Sequence, residues 1–171
     1  MRRKLIILTT VFLLLFISIA AIAYYIIRPE TLEDYLPKEI ENLNLMKTIS
    51  GHRALMMARA SHRGEIKDVL DIAIGYYERD LSIWITEYPN PNIAERETTR
   101  MARAMIQFGR GFEKLRKFKL NGQEIYLTLP AGKAQYFWSR ENFMIYIIPG
   151  PLSEEEVKRA IKQINWKIWL F

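Results

Sequence analysis

The hydrophobic pattern of the chain changes once, close to residue 28. Leu5 to Ile27 contains no charged residue and no proline, and its polar side chains are Thr9, Thr10, Ser18 and two tyrosines. At about 1.5 Å per residue, a helix of this length covers roughly 34 Å, which exceeds a hydrocarbon core of about 30 Å. A helix also satisfies its own backbone hydrogen bonds in lipid. The pattern therefore predicts a transmembrane helix over residues 5–27.

The charges beside this apolar stretch predict its orientation. Arg2, Arg3 and Lys4 precede it, whereas acidic residues dominate the segment after Arg28. Lys and Arg favour the cytoplasmic side, so residues 1–4 form a cytoplasmic tip and the C-terminal domain is extracytoplasmic. We expect a single-pass protein of the cell membrane that contacts the lipid bilayer through residues 5–27. The alternative is a signal peptide cleaved close to Ala23, which also exports the domain.

The polar pattern after the apolar stretch predicts a stalk and then one domain. Residues 28–45 are polar, and Pro29 and Pro37 interrupt any long helix, so this segment is predicted to be a juxtamembrane stalk. Residues 46–171 remain as one extracytoplasmic domain, which is long enough to bury a core. The domain has no cysteine and is therefore stabilised by packing alone.

Within this domain the apolar period alternates between helix and strand. Helices are predicted after Ser50, from about Ile93 with Asn92 as its N-cap, and after Ser153, which forms a capping box with Glu156. Alternation by two predicts six strands, over residues 65–78, 81–88, 115–120, 123–129, 134–138 and 143–148. The order α-β-β-α-β-β-β-β-α predicts an α+β domain, in which about three helices pack on an antiparallel meander. The last two strands are apolar on both faces, which indicates either central strands covered on both sides or strands with one face covered by a partner.

Charge narrows the classes of partner. The net charge is +6, but Arg2, Arg3 and Lys4 contribute three of the 25 basic groups, so the rest of the chain carries 22 against 19 acidic groups. Such a mildly basic surface does not indicate nucleic-acid binding. We expect a protein partner in or on the membrane and no nucleic acid, and the oligomeric state stays open.

One group of proteins shares several of these motifs. The motifs are Ser61-His62-Arg63-Gly64 at the end of a helix, Ile83-Trp84-Ile85 in a strand, the stretch from Asn121 to Tyr126, and Tyr136-Phe137-Trp138. In this respect the chain resembles small single-span membrane proteins of thermophilic prokaryotes that carry one uncharacterised extracytoplasmic domain. The resemblance covers most of the exported part. It implies the topology and no activity.

Residues that could support catalysis or metal binding are few. The chain has no Cys, no G-x-S-x-G motif and no Gly-rich phosphate loop. His52 and His62 are ten positions apart, which does not match the i, i+4 spacing of a helical zinc pair, although Asp68 and Asp71 follow on the next strand. We therefore predict no catalytic residue, no metal ligand and no cofactor.

Two segments are candidates for contact with a partner or with the membrane. One is a basic cluster that flanks a predicted strand, and the other is an aromatic tail after the last helix. The candidate residues are Arg110, Lys114, Arg116, Lys117, Lys119, Trp166, Trp169, Leu170 and Phe171. The alternatives are lysines that protect an edge strand from aggregation, and a tail that docks on its own sheet.

These features predict a membrane-anchored extracytoplasmic interaction module without catalysis of its own, either an accessory subunit or a surface binding protein. The alternative is a membrane-anchored hydrolase whose active site is not visible in the sequence. A transmembrane sensor would need a partner to carry the signal, because the cytoplasmic tip is so short.

Overall fold

The computed structural model describes residue 10 and residues 12–19, 31–61, 66–108 and 115–170. The chain divides into an N-terminal unit that ends at Glu30 and a larger unit from Thr31 to Leu170.

The N-terminal unit contains helical residues. Thr10 is helical, as are residues 12–19, which form helix α1. Its large apolar side chains are between 54% and 73% exposed. The Ser18 hydroxyl donates to the carbonyl oxygen of Leu14 at 2.9 Å, so this polar group is satisfied inside the helix. The rest of the predicted span lies outside the described residues, and no helix within the described ranges is long and apolar enough to cross a membrane.

The larger unit is built on one sheet of eight strands, and it confirms the predicted α+β class with an antiparallel sheet. The strands are β1 (Glu39–Ile40), β2 (Leu43–Ser50), β3 (Asp71–Tyr77), β4 (Ser82–Glu87), β5 (Arg116–Leu120), β6 (Gln123–Thr128), β7 (Gln135–Arg140) and β8 (Phe143–Ile148). Their order across the sheet is β1-β2-β3-β4-β8-β7-β6-β5, and every neighbouring pair is antiparallel.

The predicted meander in sequence order is wrong at one junction. β4 pairs with β8, from Ser82 opposite Ile148 to Glu87 opposite Phe143. The sheet therefore consists of two four-stranded meanders that meet at β4 and β8. Hydrophobic period identifies strands but not the partner across a long connection, so the sequence does not reveal this junction.

Three helices cover the two faces of this sheet, in agreement with the predicted number. On one face, α2 (Gly51–Ser61) packs against β3, and α3 (Pro91–Phe108) packs against β7 and β8. On the other face lies α4 (Glu154–Leu170), whose buried side chains are Val157, Ala160, Ile161, Ile164 and Ile168. The central strands are covered on both sides, which is one of the two predicted arrangements. The adjacent residues Phe137 and Trp138 of β7 point to opposite faces and are both fully buried.

The predicted stalk is wrong from Thr31 onward, because this segment belongs to the folded unit. Leu32–Tyr35 form a 3₁₀ helix, and Leu36 and Ile40 are only 2% and 0% exposed in the main core. Pro37 does not mark a linker, since its carbonyl oxygen accepts a hydrogen bond from the Tyr77 hydroxyl at 2.7 Å. Residues 28–30 lie outside the described residues. The domain thus begins at Thr31 and not at residue 46.

The six predicted strands omit β1 and β2. The pairing of β2 with β3 shifts register between Leu45 and Lys47. A shift of this kind interrupts the alternation of buried and exposed positions, so the segment lacks a continuous period of two. The strand predicted over residues 65–78 is too long. Asp68 adopts a left-handed φ of 57°, and the strand begins at Asp71.

Local turn and cap signals are mostly confirmed. Asn121 and Gly122 have φ values of 51° and 80°, as the tight hairpin between β5 and β6 requires. Ser153 and Glu156 form the predicted capping box, in which both the Ser153 backbone N–H and its hydroxyl donate to the Glu156 carboxylate. The N-cap of α3 is corrected, because the backbone N–H of Ile93 donates to the side-chain oxygen of Asn90 at 3.0 Å.

Candidate functional site

The basic cluster lies partly on the edge strand β5. Arg116, Lys117 and Lys119 belong to this strand and are exposed, whereas Arg110 and Lys114 lie outside the described residues. β5 is the last strand in the order of the sheet, with β6 on its inner side. The structure therefore places three of the five predicted basic residues on one sheet edge.

The charges of this edge are partly balanced by its neighbour in the sheet. The Lys117 ammonium lies 2.7 Å from a Glu124 carboxylate oxygen on β6 and 4.8 Å from the centre of the Tyr126 ring. The hydrogen bond with Glu124 is the main reason why the pKa of Lys117 is raised and that of Glu124 is lowered. The positive charge of Lys117 is therefore largely balanced by Glu124 and contributes less to the surface charge than the sequence indicates.

The two faces of β5 differ in chemistry. Phe118 and Leu120 are half-buried and pack against the main core on the side of α4, and Phe118 makes an edge-to-face contact with Tyr136. Lys117 and Lys119 alternate with them and point to the face that α3 covers. Phe118 and Leu120 hold this strand to the domain. Arg116 shares their side but is exposed at the start of the strand, so basic side chains reach the surface on both faces of this edge.

The aromatic segment at the C-terminus is not a tail. α4 continues to Leu170, so Trp166, Trp169 and Leu170 form the exposed side of its last turns, and Phe171 lies outside the described residues. The rings of Trp166 and Trp169 stack with their centres 5.0 Å apart, and these side chains are 58% and 60% exposed. Spacings of three and four residues place this patch on one helix face. We call Trp166, Trp169 and Leu170 the tryptophan patch.

The other side of the same turns is anchored in the domain. Ile168 is 3% exposed in the main core. The Lys167 ammonium donates to the carbonyl oxygen of Leu36 at 2.6 Å. Partial burial lowers the pKa of Lys167, Lys38 lowers it further, and Asp34 opposes this shift. The patch thus lies on a fixed helix end, which contacts Leu36 near the start of the domain.

A third surface, on α3, was not predicted. Asn92, Glu95, Arg96, Thr99, Arg100 and Arg103 line an open depression of about 510 Å³. The three arginines follow the spacing i, i+4, i+7, which is the signal in the sequence that identifies such a row. Arg96 lies 2.7 Å from Asp68, which brings the segment before β3 to the start of α3.

A buried carboxylate lies beneath this row. Glu97 is 5% exposed, and its two oxygens accept from Arg96 Nε at 3.1 Å and Arg100 Nε at 2.6 Å. A buried polar group needs hydrogen-bond partners, and the two guanidinium groups supply them to both oxygens of this carboxylate. Burial, with contributions from Glu97 and Asp68, raises the pKa of the neighbouring Tyr88 to about 12, although Arg100 opposes the shift. The cluster orders the start of α3 and neutralises most of its own charge.

The residues considered for metal binding are not brought together. His52 lies exposed in the first turn of α2, Asp68 pairs with Arg96, and His62 lies outside the described residues. Within the described part of the chain, no group of three or more His, Cys, Asp or Glu residues is close enough to hold a metal ion.

The chain was compared with family models, with curated proteins and with solved structures. No family model, no curated protein and no solved structure matches it.

Proposed function

We propose that the chain is a single-pass membrane protein whose extracytoplasmic domain binds a protein partner in or on the membrane, without catalysis of its own. It would act as an accessory subunit or a surface binding module. The observation that carries this proposal is helix α1, whose consecutive large apolar side chains are 54–73% exposed. A contiguous apolar surface of this kind is stable when lipid covers it, and a helix is suited to that environment.

In the sequence, uncharged residues continue on both sides of α1 to the limits of the predicted span, residues 5–27. Arg2, Arg3 and Lys4 then orient the chain with its N-terminus in the cytoplasm. The Ser18 hydroxyl fits lipid because it bonds within its own helix. These features support residues 1–4 as the cytoplasmic tip and the unit from Thr31 as the extracytoplasmic part.

The edge of β5 is the surface that we assign to the protein partner. An extended segment that adds to an edge strand gains backbone hydrogen bonds along its whole length. Arg116 and Lys119 favour an acidic segment and disfavour another basic edge, so the same side chains select the partner and prevent self-pairing. The partner is therefore expected to offer an extended acidic segment.

The test is mild-detergent extraction of the tagged full-length protein from its native membrane, followed by mass analysis of co-purifying proteins. We expect a stoichiometric protein partner with wild type. Arg116→Glu/Lys119→Glu should reduce its recovery by about tenfold or more, because two attractions become repulsions. Lys47→Glu is the matched control, since Lys47 is an exposed strand lysine on β2, far from β5 in the order of the sheet.

Three outcomes would contradict the proposal. Release of the wild-type protein from membranes by alkaline carbonate would contradict the anchor. A homogeneous preparation with no stoichiometric partner would contradict the binding module. Equal loss of the partner with the control Lys47→Glu would contradict the assignment to the edge of β5.

A further inference from the structure

We infer that the tryptophan patch of α4 lies in the outer interfacial layer of the bilayer and fixes the orientation of the domain on the membrane. This inference rests on the proposed membrane anchor. It assigns a lipid surface to a patch that the assignment of the partner to β5 leaves without a ligand.

Few residues separate the predicted span from the folded unit in the sequence. The predicted span ends at Ile27 and the folded unit begins at Thr31, so only Arg28, Pro29 and Glu30 connect them. Four Cα-to-Cα steps reach at most about 14 Å even when fully extended. The polar headgroup layer on each side of the core is about 5–8 Å thick. Thr31 is therefore restricted to the headgroups or to the water immediately beside them.

The tryptophan patch belongs to the same end of the domain as Thr31. Thr31 and Leu36 flank the 3₁₀ helix in extended conformations, and the helix rises about 2 Å per residue, so Leu36 lies within about 12 Å of Thr31. The Leu36 carbonyl oxygen accepts from Lys167 at 2.6 Å, and Lys167 lies between Trp166 and Trp169 in the sequence of α4. A connection that keeps Thr31 at the lipid surface thus leaves the patch within reach of that surface.

The chemistry of the patch fits an interface better than water. Each Trp combines a large apolar ring with one N–H donor, which is the combination enriched at membrane–water interfaces. The fully buried Trp138 donates its Nε1–H to the side-chain oxygen of Asn165 at 2.8 Å. Trp166 and Trp169 are instead stacked and more than half exposed. Leu170 adds a purely apolar side chain at the very end of the helix.

Charge does not determine this contact. Asp34 and Lys38 both act on Lys167, with opposite effects on its pKa, so the charges at this end of the domain are mixed. The contact is therefore expected on neutral phosphatidylcholine and at high salt. A protein ligand for this patch is less favoured, since a specific interface of about 1,000 Å² in total needs about 500 Å² from each partner, more than two partly exposed Trp rings and one Leu offer.

The experiment uses the full-length protein reconstituted in phosphatidylcholine vesicles, with and without lipids brominated near the headgroup end of the acyl chain. Trp166 and Trp169 are two of the four tryptophans, so about half of the emission should be lost in brominated vesicles. In Trp166→Phe/Trp169→Phe the emission comes from Trp84 and Trp138, and we expect little quenching. This variant keeps a ring at each position, and its melting temperature verifies folding.

Aqueous iodide provides a second readout that does not need a substitution. If the patch lies in lipid, iodide quenches wild type hardly more than the double variant. A protein that resists carbonate but shows no bromine quenching, or strong iodide quenching, overturns this inference and leaves the anchor intact. Paired copies with the patch shielded from both quenchers also overturn it, in favour of a second copy. A protein that carbonate removes from the vesicles overturns the anchor itself.

Discussion

The edge of β5 and the end of α4 are both recognisable in the sequence by a local concentration of one kind of side chain. These are basic residues on β5 and large apolar residues on α4. The two groups of side chains differ in how far other residues of the domain compensate them. On β5 a neighbouring strand supplies Glu124, which pairs with Lys117 at 2.7 Å. On α4 the two Trp rings stack on each other and are still more than half exposed. Charge can be neutralised within one chain, whereas exposed apolar area requires another phase or another molecule to cover it.

The largest expected effect tests whether the end of α4 is a fixed helix end or a frayed tail. Ile168→Ala should reduce the free energy of unfolding by about 2–4 kcal/mol, because a buried side chain is lost and a cavity remains. Trp169→Ala, one residue further along, should change it by less than about 0.5 kcal/mol in detergent, since this side chain is 60% exposed. Chemical denaturation of the full-length protein in micelles measures both variants. Equal, small effects of the two substitutions would show that this segment is a frayed tail.

The start of α4 is predictable from the sequence, but the position of its end is not. The capping box at Ser153 and the apolar stripe to Ile164 are predictable because they depend on neighbours three and four residues away. The continuation to Leu170 depends on Ile168 entering the core and on Lys167 reaching the Leu36 carbonyl, which are tertiary contacts. Aromatic residues have modest helix propensity, so a local analysis ends the helix too early.

The sequence does not identify the N-terminal part of the domain, residues 31–45, for a related reason. Pro37 and the many charges of residues 28–45 indicate a linker by composition, yet Leu36 and Ile40 are core residues. Short elements that are held by long-range contacts have too few residues to establish a period. The junction of β4 with β8 and the row of arginines on α3 are likewise products of tertiary structure, although the row has a helical spacing that can be recognised once the helix is known.

The next largest effect is that of salt, which should weaken the contact at β5 and leave the contact of the tryptophan patch unchanged. The partner bound at β5 should dissociate readily, with about tenfold less recovered when NaCl is raised from 0.15 M to 1 M, because the Debye length falls from about 8 Å to about 3 Å. Bromine quenching of the tryptophan patch in vesicles should be the same at both concentrations, since burial of Trp is not screened. A partner that resists 1 M NaCl, or quenching that disappears, would invalidate the distinction between a charged and an apolar contact.

Glu33 tests the support beneath the patch. Its carboxylate accepts from the Thr48 hydroxyl at 2.7 Å and from the Ser50 hydroxyl, which fastens the 3₁₀ helix to β2 and so positions Leu36. The Ser50 bond first, and then the Thr48 bond, lower the pKa of Glu33 below its ordinary value of 4.5. Glu33→Gln should cost about 1 kcal/mol of unfolding free energy at pH 7.

The sign of the pH dependence follows from the direction of this shift. A carboxylate with a lowered folded pKa stabilises the fold above its unfolded pKa, and this contribution is lost as the pH falls through the folded pKa. The difference between wild type and Glu33→Gln should therefore be full at pH 7 and shrink below about pH 4.5. Denaturation at a series of pH values measures it. A difference that is constant with pH would show that the charge of Glu33 is not what holds the segment.

The smallest expected effect distinguishes the two lysines of β5. Lys117→Gln removes the contacts with Glu124 and with the Tyr126 ring, so it should lower the melting temperature by about 1–2 °C at low salt, whereas Lys119→Gln should not. Glu124→Gln should remove most of the difference between wild type and Lys117→Gln, because the pair is then already broken. Thermal melts of the four proteins and of the double variant measure this coupling. If Lys119→Gln destabilises the domain as much as Lys117→Gln, both lysines are engaged with the fold, and the edge has less charge to offer a partner than we propose.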